Sequence, residues 1–280
     1  MDTQSLKTFV VLARLRNFTK TADELFVAQS TVTNRITELE TEVGKPLFFR
    51  NKRRVELTEE GEQFQQYAKR ILVLTEEGIG SINAMEQYKE KLHIGTTNTI
   101  YECFLDSVIK SYMKTHQDTA VKVTISHSVE LIQSLQDGLI DIIYTYIPLY
   151  KKGYFCKVYA VDELVLVTSI DNKQYENGIY REELKNTKYF YCNFALQEVG
   201  LFVKELFPPH YHFIFEIDNC TKLFSYIMEL DGLSFVPERI ASPFIREGRL
   251  RKIKLLDFQT PKINCYKINK ENQNVKFDVL

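Results

Sequence analysis

The segment from Thr19 to Leu39, TKTADELFVAQSTVTNRITEL, decides the predicted fold of the first part of this chain. Apolar residues recur in it at the three- and four-residue steps of two amphipathic helices, first at Ala22, Leu25 and Phe26, then at Val32, Ile36, Leu39 and Val43. Only the short joint from Phe26 to Gln29 separates the two runs, which is the length that a helix-turn-helix needs. The alternative is an ordinary helix pair in a bundle.

The second of these helices has a short polar face opposite its apolar side. At about 100° per residue, that face holds Ser30, Thr33, Asn34 and Thr37, with Gln29 and Arg35 at its margins. Such side chains pair with base edges and phosphate oxygens in a major groove, whereas a solvated face is mostly Lys and Glu. We therefore predict DNA contacts by Gln29, Ser30, Thr31, Thr33, Asn34 and Arg35.

A local basic patch follows the predicted reading helix. The thirteen residues from Val43 to Val55 hold five cations and no acid. Within them LFFR and VELT flank a basic turn, which predicts a β-hairpin wing. We predict that the wing contacts phosphates or the minor groove through Arg50, Lys52, Arg53 and Arg54. The alternative is a solvated run of charge.

A long helix is predicted from Thr58, which can cap it, to Tyr88. Apolar residues recur along it in a seam suited to a partner helix, at Phe64, Tyr67, Ile71, Leu74, Ile82 and Met85. We expect this seam to be buried by dimerisation. The predicted domains are therefore a winged helix-turn-helix over 1–57, a linker and dimerisation helix over 58–90, and a regulatory domain over 91–280.

Composition excludes several classes of protein. The chain is 44% hydrophobic with a net charge of −1, so nucleic-acid binding must come from a local patch rather than from global charge. No stretch approaches the roughly 18 to 20 uncharged apolar residues of a membrane span, and the expected location is the cytoplasm. The five cysteines are scattered and form no disulfide framework.

From Lys91 onward the pattern alternates between strands and helices. KLHIGT, VKVTISH and IDIIYTY are separated by helical runs, which predicts a βαβαβ unit with parallel strands. Ligands of open α/β sheets bind beyond the carboxyl ends of the strands. The polar residues at those ends are Thr96, Thr97, Asn98, Ser128 and Thr145.

A second set of elements begins near Glu163 and indicates a second α/β lobe. Its strands are ELVLVTS, KYFYCN, HFIFEI and LSFVP. The last two strands, RLRKIKLL and INCYKIN, are predicted to return to the first lobe. This places lobe I at about 91–161 and 254–280, and lobe II at about 162–253.

The residues from Phe18 to Gly61, FTKTADELFVAQSTVTNRITELETEVGKPLFFRNKRRVELTEEG, resemble the LysR-type transcriptional regulators. The resemblance implies sequence-specific binding of double-stranded DNA by a homodimer or homotetramer, control by a small-molecule effector without a cofactor, and RNA polymerase as a further partner. Four positions depart from the pattern that the family often shows: Ala28 and Ser30 stand where it has a capping Ser and a Pro, and Asn34 and Arg35 where it has Arg and Gln. The bases read therefore do not transfer.

The two-lobed region is similar to the type-2 periplasmic-binding-protein fold of LysR effector domains. The resemblance implies a cleft between the lobes lined by the residues around Thr97, by Ser128 and Thr145, and by the turn at Asn193 and Phe194. For each polar residue the alternative is a helix cap or turn. The fold class is thus α+β and α/β: a winged helix-turn-helix, a long linker helix and a two-lobed α/β domain.

Enzyme signals are weak. The sequence has no P-loop, HExxH, GxSxG or dinucleotide fingerprint. His210 and His212 are interpreted as surface residues rather than metal ligands. Cys192 and Cys220 are candidates for a redox switch, but their separation and apolar surroundings favour inert thiols. The rival functions are a small-molecule binding protein without DNA activity and an enzyme on the two-lobed fold.

Overall fold

In the computed structural model, which describes residues 1–51, 54–84, 88–194, 198–271 and 277, the chain opens with three helices. They are α1 (Thr3–Leu15), α2 (Phe18–Leu25) and α3 (Gln29–Val43). Asp2 caps α1, because its Oδ1 accepts a hydrogen bond from the Ser5 amide at 2.7 Å. Ala28 gives α3 no side-chain cap, and α3 ends at Gly44, whose φ of 75° favours glycine.

The three helices enclose a small aromatic core. The Phe9 ring is fully buried, with its centroid 5.3 Å from those of Phe48 and Phe64. The predicted apolar side of α3 is confirmed, since Val32, Ile36 and Leu39 are buried. Burial of this side orients α3 and leaves its opposite face to solvent.

The predicted position of Phe26 is wrong. The periodicity placed it on the inner side of α2, but α2 ends at Leu25 and Phe26 is 94% exposed. Its φ of 55° lies in the left-handed region, which turns the chain sharply between α2 and α3. The turn, rather than the helical repeat, therefore sets the direction of this side chain.

The predicted wing and long helix follow. Strands β1 (Phe48–Asn51) and β2 (Arg54–Leu57) pair antiparallel, and α4 runs from Glu59 to Ala84. Thr58 caps α4 as expected: its Oγ1 accepts from the Gly61 amide at 2.9 Å and donates to the Pro46 carbonyl at 2.8 Å. One hydroxyl thereby fastens the start of α4 to the segment before the wing.

The remaining elements form an α/β region. They are β3 (Glu90–Thr96), α5 (Asn98–Ile100), a π-helical turn (Tyr101–Leu105), α6 (Asp106–Thr115), β4 (Thr119–Ile125), α7 (Ser128–Gln136), β5 (Ile142–Thr145), β6 (Tyr154–Ser169), a 3₁₀ turn (Arg181–Asn186), β7 (Phe190–Cys192), α8 (Glu198–Glu205), β8 (Phe215–Ile217), α9 (Cys220–Leu230), β9 (Ser234–Pro237), α10 (Glu238–Arg246), β10 (Leu250–Lys252) and β11 (Lys262–Lys270). The βαβαβ prediction is confirmed, because β3 pairs parallel with both β4 and β5.

Strand β6 joins the two lobes. Its first part, 154–163, pairs with β11 in lobe I, and its second part, 164–169, pairs with β9 and β10 in lobe II. The sequence identified only the second part as a strand. In lobe II, β7 pairs parallel with β8 and meets β9 through the Tyr189–Leu233 bridge.

The prediction that RLRKIKLL returns to lobe I is wrong. Its strand, β10, pairs with the lobe II part of β6. The chain stays there, since the Ile253 amide donates to Leu166 O at 2.8 Å and Thr260 Oγ1 donates to Leu164 O at 2.8 Å. The return comes only with β11, which pairs with β5 and β6 in lobe I as expected.

The contacts divide the chain into two units, Met1–Gln87 and Tyr88–Leu280. The finer division at 1–57, 58–90 and 91–280 stays a prediction. None of the described helices is both long enough and apolar enough to cross a membrane.

Candidate functional site

Helix α3 presents the predicted reading residues on its outer side. Gln29, Ser30 and Asn34 are exposed, while Thr31, Thr33 and Arg35 are half-buried. Because Val32 and Ile36 are fully buried, Ser30 and Asn34 lie on the opposite side of the helix, and Gln29 and Arg35 lie at the margins between the two sides. The helix therefore offers a surface of amide and hydroxyl groups.

Three hydrogen bonds organise this surface. The Thr33 hydroxyl donates to the Gln29 carbonyl at 3.1 Å, which leaves the hydroxyl oxygen with acceptor capacity. Thr19 Oγ1 on α2 donates to Gln29 Oε1 at 3.2 Å and so restrains the Gln29 amide. Arg35 Nη1 donates to the buried Thr8 hydroxyl on α1 at 3.3 Å. This bond ties the Arg35 guanidinium to α1.

The wing is described only in part. Arg50 and Arg54 occupy positions on β1 and β2, with Arg50 opposite Val55 in the register. Their side chains, and the residues Lys52 and Arg53, lie outside what the structure describes. Their predicted phosphate contacts stay predictions.

A second site lies between the lobes of the α/β region, in a cleft of about 190 Å³. It is lined by Thr97, Asn98, Thr99, Ile125, Ser126, His127, Ser128, Asn193, Phe194, Asp218 and Asn219. These residues follow four strands, β3 and β4 in lobe I and β7 and β8 in lobe II. The carboxyl ends of the strands therefore meet at the cleft, as an open parallel sheet requires.

The structure brings five of the seven predicted cleft residues together: Thr97, Asn98, Ser128, Asn193 and Phe194. It places the other two inside lobe I. Thr96 is buried, and its hydroxyl donates to the Thr97 carbonyl at 3.2 Å. Thr145 is also buried, with its hydroxyl bonded to the backbone of Ile147. Both hydroxyls bond to the backbone inside lobe I, so the alternative of a structural role in a cap or turn applies to these two residues.

Sequence reasoning missed Thr99, Ile125, Ser126, His127, Asp218 and Asn219. A usable signal existed for the last two, because they directly follow β8 and the strand-end rule applies there as it does after β7. Asn219 caps α9, accepting from the Lys222 amide at 3.0 Å, and also lines the cleft.

Helix starts surround the cleft. Helices α7 and α9 begin at residues that line it or adjoin it, and the first turn of α7 has no side-chain cap. Unbonded amides at a helix start favour a negative group on a ligand. On the other side, Asp218 lies 3.7 Å from His127 Nε2, across the two lobes. Among the described lining residues there is no Lys or Arg.

One polar atom at the cleft lacks a partner. Asn98 Nδ2 is buried and has no hydrogen bond to any residue that the structure describes. An amide donor without a partner is costly, by about 1–3 kcal/mol, unless something else bonds to it. The adjacent Thr97 Oγ1 accepts from the Ile100 amide at 3.4 Å. Asn98 is thus a ready donor beside the cleft.

Two of the scattered cysteines are neighbours in space. Cys192 Sγ and Cys220 Sγ are 3.2 Å apart although 28 residues separate them in the chain, and both residues are buried. His210 and His212 are exposed, and within the described ranges no group of three or more His, Cys, Asp or Glu side chains is arranged to hold a metal ion.

The sequence matches two family models. A model described as the bacterial regulatory helix-turn-helix protein, lysR family, covers residues 3–62, and the LysR substrate binding domain covers residues 86–272. The chain belongs to the LysR family. It is 30% identical to the HTH-type transcriptional regulator CitR of Bacillus subtilis, over 96% of this chain and 93% of that protein. The predictions of a LysR-type DNA-binding transcription regulator, and of a protein that is not an enzyme, are confirmed.

Solved LysR structures share the fold. The regulator CbnR aligns with a TM-score of 0.73 at 19% identity, over 99% of this chain and 95% of that chain. Full-length CbnR complexed with its target DNA aligns with a TM-score of 0.71 at 20% identity, over 98% and 94%. The predicted fold class is confirmed.

Proposed function

We propose that this LysR-family regulator reads base edges with the outer face of α3 and holds phosphates with its wing. The observation that carries the proposal is that Ser30 and Asn34 are exposed on the side of α3 opposite its buried residues, with Gln29 exposed at the margin of that face. An amide side chain pairs bidentately with adenine, and hydroxyls accept from or donate to several bases. The wing cations supply the contacts that do not depend on sequence.

Asn34→Ala tests the reading role. We expect it to change the preferred base at one operator position and to weaken specific binding about tenfold, which corresponds to a lost base contact of about 1–3 kcal/mol. Gln66→Ala is the matched control, because Gln66 is an exposed amide on α4. Binding measured by fluorescence anisotropy over a set of single-base operator variants gives the result. An unchanged base preference in Asn34→Ala overturns the assignment.

Arg53→Ala tests the wing. Because phosphate contacts release counterions, we expect uniform weakening across all sequences and a salt-dependence slope smaller by about 1. Sequence-selective loss would instead make Arg53 a base reader.

We infer that a second copy of the chain covers the outer seam of α4. Tyr67, Ile71, Leu74 and Ile82 are exposed along it at helical spacing. Ile71→Asp should shift the protein toward smaller species in sedimentation, whereas Val73→Asp, exposed on another side of α4, should not. The same mass measurement separates a homodimer from a homotetramer, and footprinting should show two half-sites one or more helical turns apart. An unchanged mass distribution in Ile71→Asp contradicts the proposal.

We propose that the cleft binds a small polar or anionic effector. The convergence of four strand ends from two lobes supports this, together with the uncapped start of α7 and the unpartnered Asn98 amide. A ligand that bridges the lobes favours one lobe angle and thereby shifts DNA binding. We place this activity in the cytoplasm, where DNA is available, with RNA polymerase as a further candidate partner.

Thr97→Val tests the cleft. A thermal-shift screen of small carboxylic acids, amino acids and sugars should find a ligand that stabilises the native protein and loses its effect in Thr97→Val. Thr97→Ser should keep the effect, because it retains the hydroxyl that caps the following helix. Ser107→Ala, an exposed hydroxyl on α6 outside the cleft, is the control. A ligand whose stabilisation is equal in native protein and Thr97→Val lies elsewhere.

A further inference from the structure

Two thiols meet in the wall of the inter-lobe cleft. Cys192 is the last residue of β7, and Cys220 is the first residue of α9. Their Sγ atoms lie 3.2 Å apart, and the two residues are 7% and 0% exposed. Their neighbours in sequence, Asn193 and Asn219, line the cleft. The pair therefore lies directly behind two of its walls.

Two groups of lobe I lie near this pair. The Thr99 hydroxyl and the Cys103 thiol are both close enough to Cys220 to influence the pKa of its thiol. Both residues belong to the helical segment that follows β3. The dithiol thus lies near the boundary between the lobes, where a chemical change at one sulfur affects residues of both lobes.

The geometry leaves little to be moved for a bond. A disulfide needs sulfur atoms about 2.0 Å apart, so the two atoms must approach by roughly 1 Å. The sulfurs already form a hydrogen bond with each other. By comparison, Cys265 is equally buried but lies on β11, in the sheet of lobe I.

We propose that Cys192 and Cys220 are a modification site: a dithiol that a peroxide converts to a disulfide. One thiol attacks the peroxide, forming a sulfenic acid and releasing water. The second sulfur then attacks the sulfenic sulfur, forming the S–S bond and releasing a second water. The two sulfurs together lose two electrons and two protons, and the peroxide gains them.

Burial of the two thiols controls the rate at which peroxide oxidises them. Desolvation raises the pKa of the Cys220 thiol above its ordinary value, and the Cys192 thiol adds to this. Since the thiolate is the nucleophile, the reaction is slow at neutral pH and accelerates as the pH rises toward that pKa. The oxidant must also be small and uncharged to enter a buried site, as hydrogen peroxide is.

The bond would tie two cleft walls together. It joins the end of β7 to the start of α9 across a separation of 28 residues. Asn193 and Asn219 then move as one piece, which alters ligand binding at the cleft. This consequence rests on the proposed effector site, whereas formation of the disulfide does not.

The experiment oxidises the reduced, full-length protein with hydrogen peroxide at two pH values and counts thiols after denaturation. We expect the count to fall from the five of the sequence to three, faster at the higher pH, and to return with dithiothreitol. Peptide mapping should show a link between residues 192 and 220. The melting temperature should rise by roughly 5 °C or more, because the bond constrains the unfolded chain.

Single variants sharpen the result. Cys192→Ala and Cys220→Ala should each abolish the link, while Cys265→Ala, the matched buried cysteine, should retain it. The mapping of the native protein needs no variant, so a folding defect in either alanine variant leaves the test intact. Five free thiols after oxidation, oxidation of single cysteines to sulfinic or sulfonic acid, or a link between other residues overturns the proposal. The disulfide and the effector site can fail separately. If the 192–220 link forms but the ligand screen finds no cleft ligand, only the proposed effector site is contradicted.

Discussion

The DNA-reading face and the cleft are built in opposite ways. All six predicted reading residues come from seven consecutive positions of α3, 29 to 35, and one helix holds them. The cleft takes its lining from four strand ends between residues 97 and 219. A face on one helix depends on the few contacts that orient that helix. A cleft between lobes depends on the packing of both lobes, and its residues move relative to one another when the lobes do.

The supporting cores differ in the same sense. Phe9, Phe48 and Phe64 orient α3 from within a small cluster. In lobe II, Tyr189 packs against rings from distant segments, among them Phe207, Phe213 and Phe235. Loss of the Phe9 ring should therefore destabilise the N-terminal core strongly. Loss of one polar contact at Tyr189 should destabilise the lobe II core less.

Phe9→Ala tests the local side of this comparison and should have the largest effect. The Phe9 ring is fully buried between two other rings, so its removal leaves a cavity and costs about 3–5 kcal/mol of unfolding free energy. We expect operator binding to be lost and amide exchange to accelerate throughout α1 and α3. Hydrogen exchange and fluorescence anisotropy measure the two effects. Retained operator affinity would show that α3 does not depend on this core.

Tyr189→Phe tests the non-local side and should have an intermediate effect. The Phe235 amide donates to the Tyr189 hydroxyl at 3.2 Å across 46 residues, and both groups are buried. Removing the hydroxyl leaves that amide unsatisfied at a cost of about 1–3 kcal/mol. Chemical denaturation measures the loss of unfolding free energy. Hydrogen exchange of the β7 and β9 amides in the native state shows where the loss occurs. Tyr211→Phe is the control, since its hydroxyl bond is long, at 3.4 Å, and exposed.

Phe26→Asn should have the smallest effect, and of the opposite sign. Phe26 is almost fully exposed with φ of 55°, a conformation that Asn adopts more readily than Phe. We expect a gain in stability of no more than about 1 kcal/mol, and close to no change for Phe26→Ala. A loss of stability in both variants would reveal a packing role. A loss of operator affinity without a stability change would place Phe26 at the DNA.

The features of this protein that the sequence determined by itself are those that depend on local patterns of residues. The buried side of α3, the cap at Thr58 and the βαβαβ order each depend on residues near one another in the chain. A helix repeats every 3.6 residues and a strand every two, so the spacing of apolar residues predicts which side of each element is buried. The polar residues after β3 and β4 followed from the strand-end rule in the same way, whereas Asn193 and Phe194 after β7 followed from the resemblance to LysR effector domains.

Tertiary structure decided the rest. The partner of β10 is a strand about 80 residues earlier, and a pattern of alternating side chains does not specify which strand it meets. Thr96 and Thr145 looked like Thr97 in sequence, yet only the fold turns their hydroxyls into lobe I. Cys192 and Cys220 are remote in the chain and in contact in space. Contacts of this kind arise when lobes pack, because burial of the whole core selects one arrangement of distant segments, and no local repeat records that choice.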